Sequence, residues 1–344
     1  MHHPTSVTIG MDVSDKYCHV VVLDDGGTVV RRDRIATRAS ALERWFEPYA
    51  GQRVVMEVGP QSPWMSRLLG SKVELIVANP TKVALISGGH TKNDSLDAEK
   101  LARLGRADPS LLSPVKHRRA DTQASLALVK ARHALVRSRT LLINSVRGQA
   151  KAAGVNMTKG SSSTFHRRVA EIPELVDDAL APLMEMIASL TEKITDYDRV
   201  IRELCEEVYP ETAPLLEIKG VGPQTALQFV LVIEEPARFP SSRAVGSYLG
   251  LRPRQDQSGD TDRQLRITKA GDPLMRRNLV QCAHRILDPR YPDTDLQRWG
   301  LKLLGRGGKA ARKRAVVSVA RKLAILMHRL LATGEAYVPN RQAA

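Results

Sequence analysis

The sequence predicts a layered α/β domain at the start of its 344 residues and helix for most of the rest. Three observations carry that expectation. Short β-branched runs alternate with amphipathic stretches until the segment before His117. From there to Ala153 no proline interrupts a basic amphipathic pattern. Further on, Leu183, Ile187, Leu190, Ile194, Tyr197, Ile201, Leu204 and Val208 recur at alternating steps of four and three, the spacing of a coiled-coil seam. The spacing predicts an antiparallel helical hairpin that also pairs between subunits.

Taken in order, Ser6 to Met11 and His19 to Leu23 read as strands, and Asp24-Asp25-Gly26-Gly27 supplies the turn into a third, Thr28 to Arg34. Ala39 to Tyr49 reads as a helix. Arg53 to Val58 is a short buried strand stopped by Gly59-Pro60, Trp64 to Leu69 a helix, and Val73 to Val77 a further strand closed by Asn79-Pro80. This is a sheet with a hairpin start, expected to occupy residues 1–115. Residues 116–210 are expected to form the basic helix and coiled-coil hairpin, interrupted by the Gly/Ser loop from Gly154 to Ser163. Residues 211–344 are expected to form a small, mainly helical C-terminal domain. It opens on Ile218-Lys219-Gly220-Val221-Gly222-Pro223-Gln224-Thr225-Ala226, which has the form of a helix-hairpin-helix turn. There Lys219 and the backbone at Gly220 and Gly222 are placed to meet a phosphate.

Charge narrows the partner. With 52 Lys+Arg against 37 Asp+Glu the chain carries +15, and a hydrophobic fraction of 42% is ample for proper cores. Such an excess favours a polyanion, because each neutralised phosphate releases counterions. Aromatic residues at 4% are too few for stacking platforms along a single strand, which leaves duplex or structured nucleic acid. Cys18, Cys205 and Cys282 are widely separated, which excludes a disulfide framework or a zinc site of the CxxC kind. No run approaches the roughly 18 apolar residues of a membrane span, and the first strand begins at once, without a leader pattern. A cytoplasmic, reducing setting is the expectation.

Chemistry is expected from four acids. Asp12 ends the first strand, Glu57 ends the fourth, and Asp94 and Asp97 lie three apart at a helix start, on one face. Carboxylates converging in a basic protein point to hard cations held against phosphate oxygens, Mg²⁺ first and Mn²⁺ as an alternative. Singly, each has a structural use, as an N-cap, a first-turn dipole partner or a surface charge.

The order strand, strand, helix pair resembles the RNase H-like (RuvC-like) layout of metal-dependent nucleases, and in particular the DEDD tetrad of the insertion-sequence one-ten transposases. That is the bacterial group guided by a bridge RNA and related to pilin-gene-inverting DNA invertases. A second stretch strengthens the resemblance: Tyr248-Leu249-Gly250-Leu251-Arg252-Pro253, then Gln257-Ser258-Gly259, then Arg266-Ile267-Thr268-Lys269-Ala270-Gly271-Asp272. The resemblance spans Ile9 to about Leu330 and implies that Ser258 is a nucleophile forming a phosphoserine link to DNA, assisted by metal at Asp12, Glu57, Asp94 and Asp97. Gln257 stands where the family often has another small residue, and Val58-Gly59-Pro60 follows Glu57 in place of the commoner small-residue turn. The resemblance further implies donor and target duplex DNA, a structured guide RNA, and a dimer or tetramer.

Basic residues divide by position. Arg263, Arg266, Lys269, Arg276 and Arg277 flank Ser258 and suit DNA phosphates. Lys116, Arg118, Arg119, Lys130 and Arg132 adjoin the first domain and suit a structured RNA read through its backbone. Three competitors remain. A hydrolytic nuclease or junction resolvase would use the same carboxylates with water, and a scaffold would use them structurally. An actin-like kinase would share the first aspartate, but the Gly-rich adenosine loops it needs are missing from the sequence.

Overall fold

The computed structural model describes residues 6–80, 94–157, 160–171, 174–258, 261–308 and 310–340. The chain divides into two compact units, Met1–Arg119 and Ala120–Ala344.

The first unit is built on a five-stranded sheet in the order β3-β2-β1-β4-β5. The strands are β1 (Thr8–Val13), β2 (Tyr17–Leu23), β3 (Val29–Ala36), β4 (Arg53–Glu57) and β5 (Glu74–Ala78). The hairpin strands β1 to β3 are antiparallel, while β4 and β5 run parallel to β1. All five expected strands are present, with ends displaced by one or two residues. Alternation sorts the two faces. Ile9, Met11, Val20, Val22, Val54 and Met56 pack with Leu42 and Phe46 of α1 (Ala39–Phe46) and with Met65 and Leu69 of α2 (Ser62–Leu69). On the opposite face, Val21 and Leu23 pack with Ala98 and Ala102, and Val55 and Ile76 with Leu101, all of α3 (Asp94–Ala107).

Glycine sets how close α3 lies. A Cβ on Gly10 of β1 would stand 1.9 Å from the Ala98 carbonyl oxygen and 2.5 Å from the Ala102 nitrogen. One on Gly105 would stand 2.2 Å from Val55 Cγ2. The helix therefore rests its backbone on the sheet at two points where side chains are absent. Its far side is tied to the hairpin, where Arg106 donates to the Asp25 carbonyl at 2.9 Å and Arg103 to that of Gly27 at 3.3 Å.

The second unit begins with two long helices, α4 (Ala120–Ala152) and α5 (Glu174–Glu203), the latter continued by a turn of π-helix over Leu204–Val208. They run antiparallel. Arg132 meets Asp198 at 2.6 Å, Arg139 donates to Thr191 at 3.2 Å, and Ile143 and Val146 share a core with Leu180, Met184 and Ile187. The heptad seam is thus used within the chain, against α4 and the bundle below. Ile187, Ile194 and Ile201 are buried, whereas Val208 at its end is 56% exposed. The two helices form the antiparallel hairpin within the chain.

The remaining helices are α6 (Ala213–Leu216), α7 (Pro223–Ile233), α8 (Ser242–Tyr248), α9 (Pro273–Ile286), α10 (Asp295–Gly305) and α11 (Ala311–Thr333). α7 is buried from Thr225 to Ile233 and forms the axis of the bundle. Leu126, Val129, Ile201 and Cys205 belong to the same core as Leu215, Phe229, Leu279 and Leu323. Residues of the hairpin and of the C-terminal region thus share one core within the second unit. One element of this mainly helical region is not helical. Residues Pro253–Ser258 and Thr261–Ile267 pair as an antiparallel β-hairpin, β6 and β7. Polar residues without alternation, as in Pro253-Arg254-Gln255-Asp256-Gln257-Ser258, carry no periodic signal for such a pair.

Candidate active site

β1 lies where the sheet reverses, with antiparallel β2 on one side and parallel β4 on the other. The crevice outside the carboxyl ends of parallel strands at such a point is where α/β sheets bind ligands. Asp12 sits one residue past the Met11–Met56 pair, and Glu57 one residue past it on β4, so the two carboxylates occupy neighbouring strand ends. Alternation turns both to the α3 face, because Met11 and Met56 point into the opposite core. His19 stands directly across from Asp12 on β2. Asp94 and Asp97 arrive from the other side, in the first turn of α3.

That first turn is held down from β3. Arg32 reaches both Ser95, at 3.1 Å, and Glu99, and Arg103 adds a second ion pair to Glu99 at 2.6 Å. These contacts, with the close approach at Gly10, fix where Asp94 and Asp97 stand. His19 Nε2 lies 3.7 Å from Asp94, and Lys100 Nζ 2.9 Å from Asp97.

The electrostatics record the convergence. Burial raises the Asp12 carboxyl above its ordinary value, Asp94 and Asp97 raise it further, and His19 acts in the opposite sense. Burial also raises Glu57, with Asp12 and Asp97 adding to it. All four acids therefore share one field, partly neutralised by Lys100 and, when protonated, His19. Like charges held this way are relieved by a proton or a hard cation. Among the described residues no three His, Cys, Asp or Glu side chains gather tightly enough to chelate an ion. In kind, the four carboxylates are donors that fit a divalent metal.

The second stretch of motifs lies in the other unit. Gly250 and Gly271 have φ of +68° each, and their backbones cross. A Cβ on Gly250 would stand 2.3 Å from the Ala270 nitrogen, and one on Gly271 2.2 Å from the Tyr248 carbonyl oxygen. Arg276 braces the crossing by donating to the carbonyls of Leu249 at 3.1 Å and Ala270 at 2.6 Å. Thr268 N and Lys269 N donate to the carbonyls of Arg252 and Gly250, closing the base of the β6–β7 hairpin. Ser258 is the last residue of β6, paired in register with Thr261, and Arg263 pairs with Asp256. Gly259 lies outside the described residues. The motif is thus a glycine-locked pedestal with the serine at its tip.

The predicted basic residues separate. Arg132 is engaged with Asp198 and Gln224 (2.7 Å), and Arg276 serves the pedestal, so both have structural duties that sequence reasoning did not assign. Lys116, Arg119, Lys130, Lys219, Arg266, Lys269 and Arg277 are exposed, and Arg118 is half-buried. Gly220, at φ +98°, and Gly222, which precedes α7, lie in the turn between α6 and α7. His19, Lys100 and Gly10 were not singled out. Their signal was present in part, since His19 lies on the strand that pairs with the one bearing Asp12.

Comparison with known proteins adds kinship to this geometry. Residues 9–153 match the DEDD transposase domain of the IS110 type, and residues 212–295 the transposase domain of the IS116/IS110/IS902 family. The chain is 27% identical to the transposase for insertion sequence element IS1111A of Coxiella burnetii, over 96% of this chain and 90% of the relative. It is 29% identical to the transposase for insertion sequence element IS1328 of Yersinia enterocolitica, over 86% of this chain and 89% of the relative. It is also 27% identical to the pilin gene-inverting protein of Moraxella lacunata, over 71% and 67%.

Proposed function

From the premise that this chain carries both domains of an IS110-family transposase, and is a DNA transposase or recombinase, we propose that it breaks and rejoins DNA through Ser258. The Ser258 hydroxyl oxygen attacks the scissile phosphorus, a P–O ester bond to deoxyribose breaks, and the leaving oxygen collects the proton that the hydroxyl gives up. The phosphodiester energy is kept in the phosphoserine link, so a second DNA hydroxyl can reverse the step and seal a new junction.

The observation that supports this reading is that Asp12 and Glu57 end neighbouring strands on the α3 face while Asp94 and Asp97 lie in the first turn of α3, near enough to raise the Asp12 carboxyl. These are the residues that would hold divalent cations, Mg²⁺ or Mn²⁺, by their hard oxygen donors. Such ions, when bound, stabilise charge developing on the attacking and leaving oxygens. His19 and Lys100 hold Asp94 and Asp97 in place, and Arg32 keeps α3 seated.

Kinship and charge support the rest of the assignment. Lys219, Gly220, Gly222, Arg263, Arg266, Lys269 and Arg277 meet DNA phosphates. Lys116, Arg118, Arg119 and Lys130 meet a structured guide RNA, whose base pairing chooses the target. The assembly holds two or four copies.

A plasmid recombination assay tests the carboxylates. Asp12→Asn, Glu57→Gln, Asp94→Asn and Asp97→Asn are each expected to lower product roughly a hundredfold or more, as for groups acting as one unit. Chelation is expected to abolish the reaction, and added Mg²⁺ to restore it. Recombination that persists in the Asp12→Asn, Asp97→Asn double variant would remove the tetrad from the chemistry.

A further inference from the structure

Sequence position placed Arg132 with an RNA and Arg277 with DNA, yet in the folded second unit they line one cleft. It measures about 550 Å³ and lies between α4 and α9, beside the start of α7. Arg137, Thr140 and Asn144 of α4 face Arg277 and Gln281 of α9 across it, with Gln224 of α7 at its end. A smaller hollow of about 180 Å³ continues it past Gln224, Asn278 and Gln281 to Arg202 and Arg285.

We propose that this cleft seats the phosphodiester backbone of a nucleic-acid strand, clamped by Arg137 and Arg277 and released by the His133–Arg277 hydrogen bond. The inference rests on the reading of the chain as a nucleic-acid enzyme.

The charge is one-sided. Asp198 is the acid that lines these hollows, and its carboxylate is taken by Arg132. Among the described residues Arg137 and Arg277 meet no carboxylate. Guanidinium groups drawn together without counter-charge repel one another, and a phosphate between them removes that cost. The amides of Asn144 and Gln281 supply neutral donors for the remaining phosphate oxygens. The volume matches a nucleotide-sized ligand, within the roughly 300–1,000 Å³ of small-ligand pockets.

His133 is the latch. Its Nε2 lies 2.8 Å from Arg277 Nη1, so in the free cleft the imidazole is neutral and accepts this bond. Burial holds its basicity down, and Arg277, Arg137 and Arg132 hold it down further. The facing groups are Arg132 and Arg137 on its own helix, Arg277 on α9 and neutral Gln224 on α7, while Asp198 of α5 reaches Arg132. A phosphate entering the cleft offsets the three arginines and favours the imidazolium, which donates to the phosphate as Arg277 turns to do the same. Binding then takes up a proton, and affinity rises as pH falls across the histidine range.

The test is equilibrium binding of the full chain to labelled duplex DNA and, separately, to labelled structured RNA over a series of salt concentrations. For at least one probe, Arg137→Gln with Arg277→Gln is expected to weaken binding tenfold or more. The slope of log K against log salt should fall by about two, one per lost phosphate contact. The probe that responds identifies the strand. Lys302→Ala with Arg306→Ala, exposed charges removed elsewhere in the unit, is expected to change the slope far less. Equal losses in the two double variants, or an unchanged slope with both probes, overturn the proposal. Calorimetry in buffers of different ionisation enthalpy reads the proton, which is expected in the wild type and absent in His133→Gln. Uptake that survives that substitution overturns the latch. Asp12→Asn is expected to bind like the wild type while failing to recombine, so an error about the tetrad leaves this result untouched.

Discussion

Asp12 shows how a site can be read from one side chain's discomfort. Burial and the neighbouring Asp94 and Asp97 raise its carboxyl above the ordinary 3.8, so the folded chain binds that proton more readily than the unfolded chain. Its ionised form therefore costs stability above the raised value, and the cost fades as pH falls towards the unfolded value. Asp12→Asn is expected to stabilise the protein at neutral pH by on the order of 1 kcal/mol or less, since the site is half open to water. The gain should close in thermal melts as pH falls to about 4. Mg²⁺ is expected to raise the melting temperature of the wild type more than that of the variant. At this scale the acids were legible because Asp and Glu at strand ends stand out in a basic chain. His19 and Lys100 were not, because their role depends on strand pairing and on a helix turn that single-residue spacing does not encode.

Elements turn those residues into a site, and here the smallest side chains decide. α3 delivers Asp94 and Asp97 only because Gly10 admits its backbone to the sheet. Gly10→Ala would place a methyl 1.9 Å from the Ala98 carbonyl oxygen and must push α3 outward. It is expected to destabilise the first unit by about 1–3 kcal/mol in denaturant unfolding, the usual range for overpacking. Activity should drop further than stability alone explains, because the carboxylates are moved apart. The five strands were legible from β-branched runs and turn signals. Gly10 and Gly105 were not, since a glycine in a strand or helix reads as weakness until the partner surface is known. The β6–β7 hairpin was hidden for the opposite reason, being polar except for Pro253, Leu265 and Ile267 and held at its base by Gly250, Gly271 and Arg276. The heptad of α5 was legible as a seam. Its partner was not, because Arg132 and Asp198, 66 residues apart, and Ile143 against Ile187 place α4 there through tertiary pairing.

For the whole molecule, the chain carries an excess of +15 and matches both IS110-type transposase domains, with the four acids in one unit and Ser258 in the other. Composition made the polyanion partner legible, and motif order made the kinship legible. The sharing of one core by the hairpin and the C-terminal region was not, because it depends on contacts between Leu126 or Ile201 and residues far along the chain. The central claim is that Ser258 becomes covalently joined to DNA with the help of the four carboxylates. The direct measurement is to incubate the full chain, with any RNA that co-purifies retained, with labelled duplex DNA and Mg²⁺, denature, and look for label that migrates with protein. The account predicts an adduct in the wild type, mapped by peptide mass to the segment holding Ser258, and none in Ser258→Ala or Asp12→Asn. An adduct that persists in Ser258→Ala, or cleavage to free DNA ends without any adduct, would contradict it.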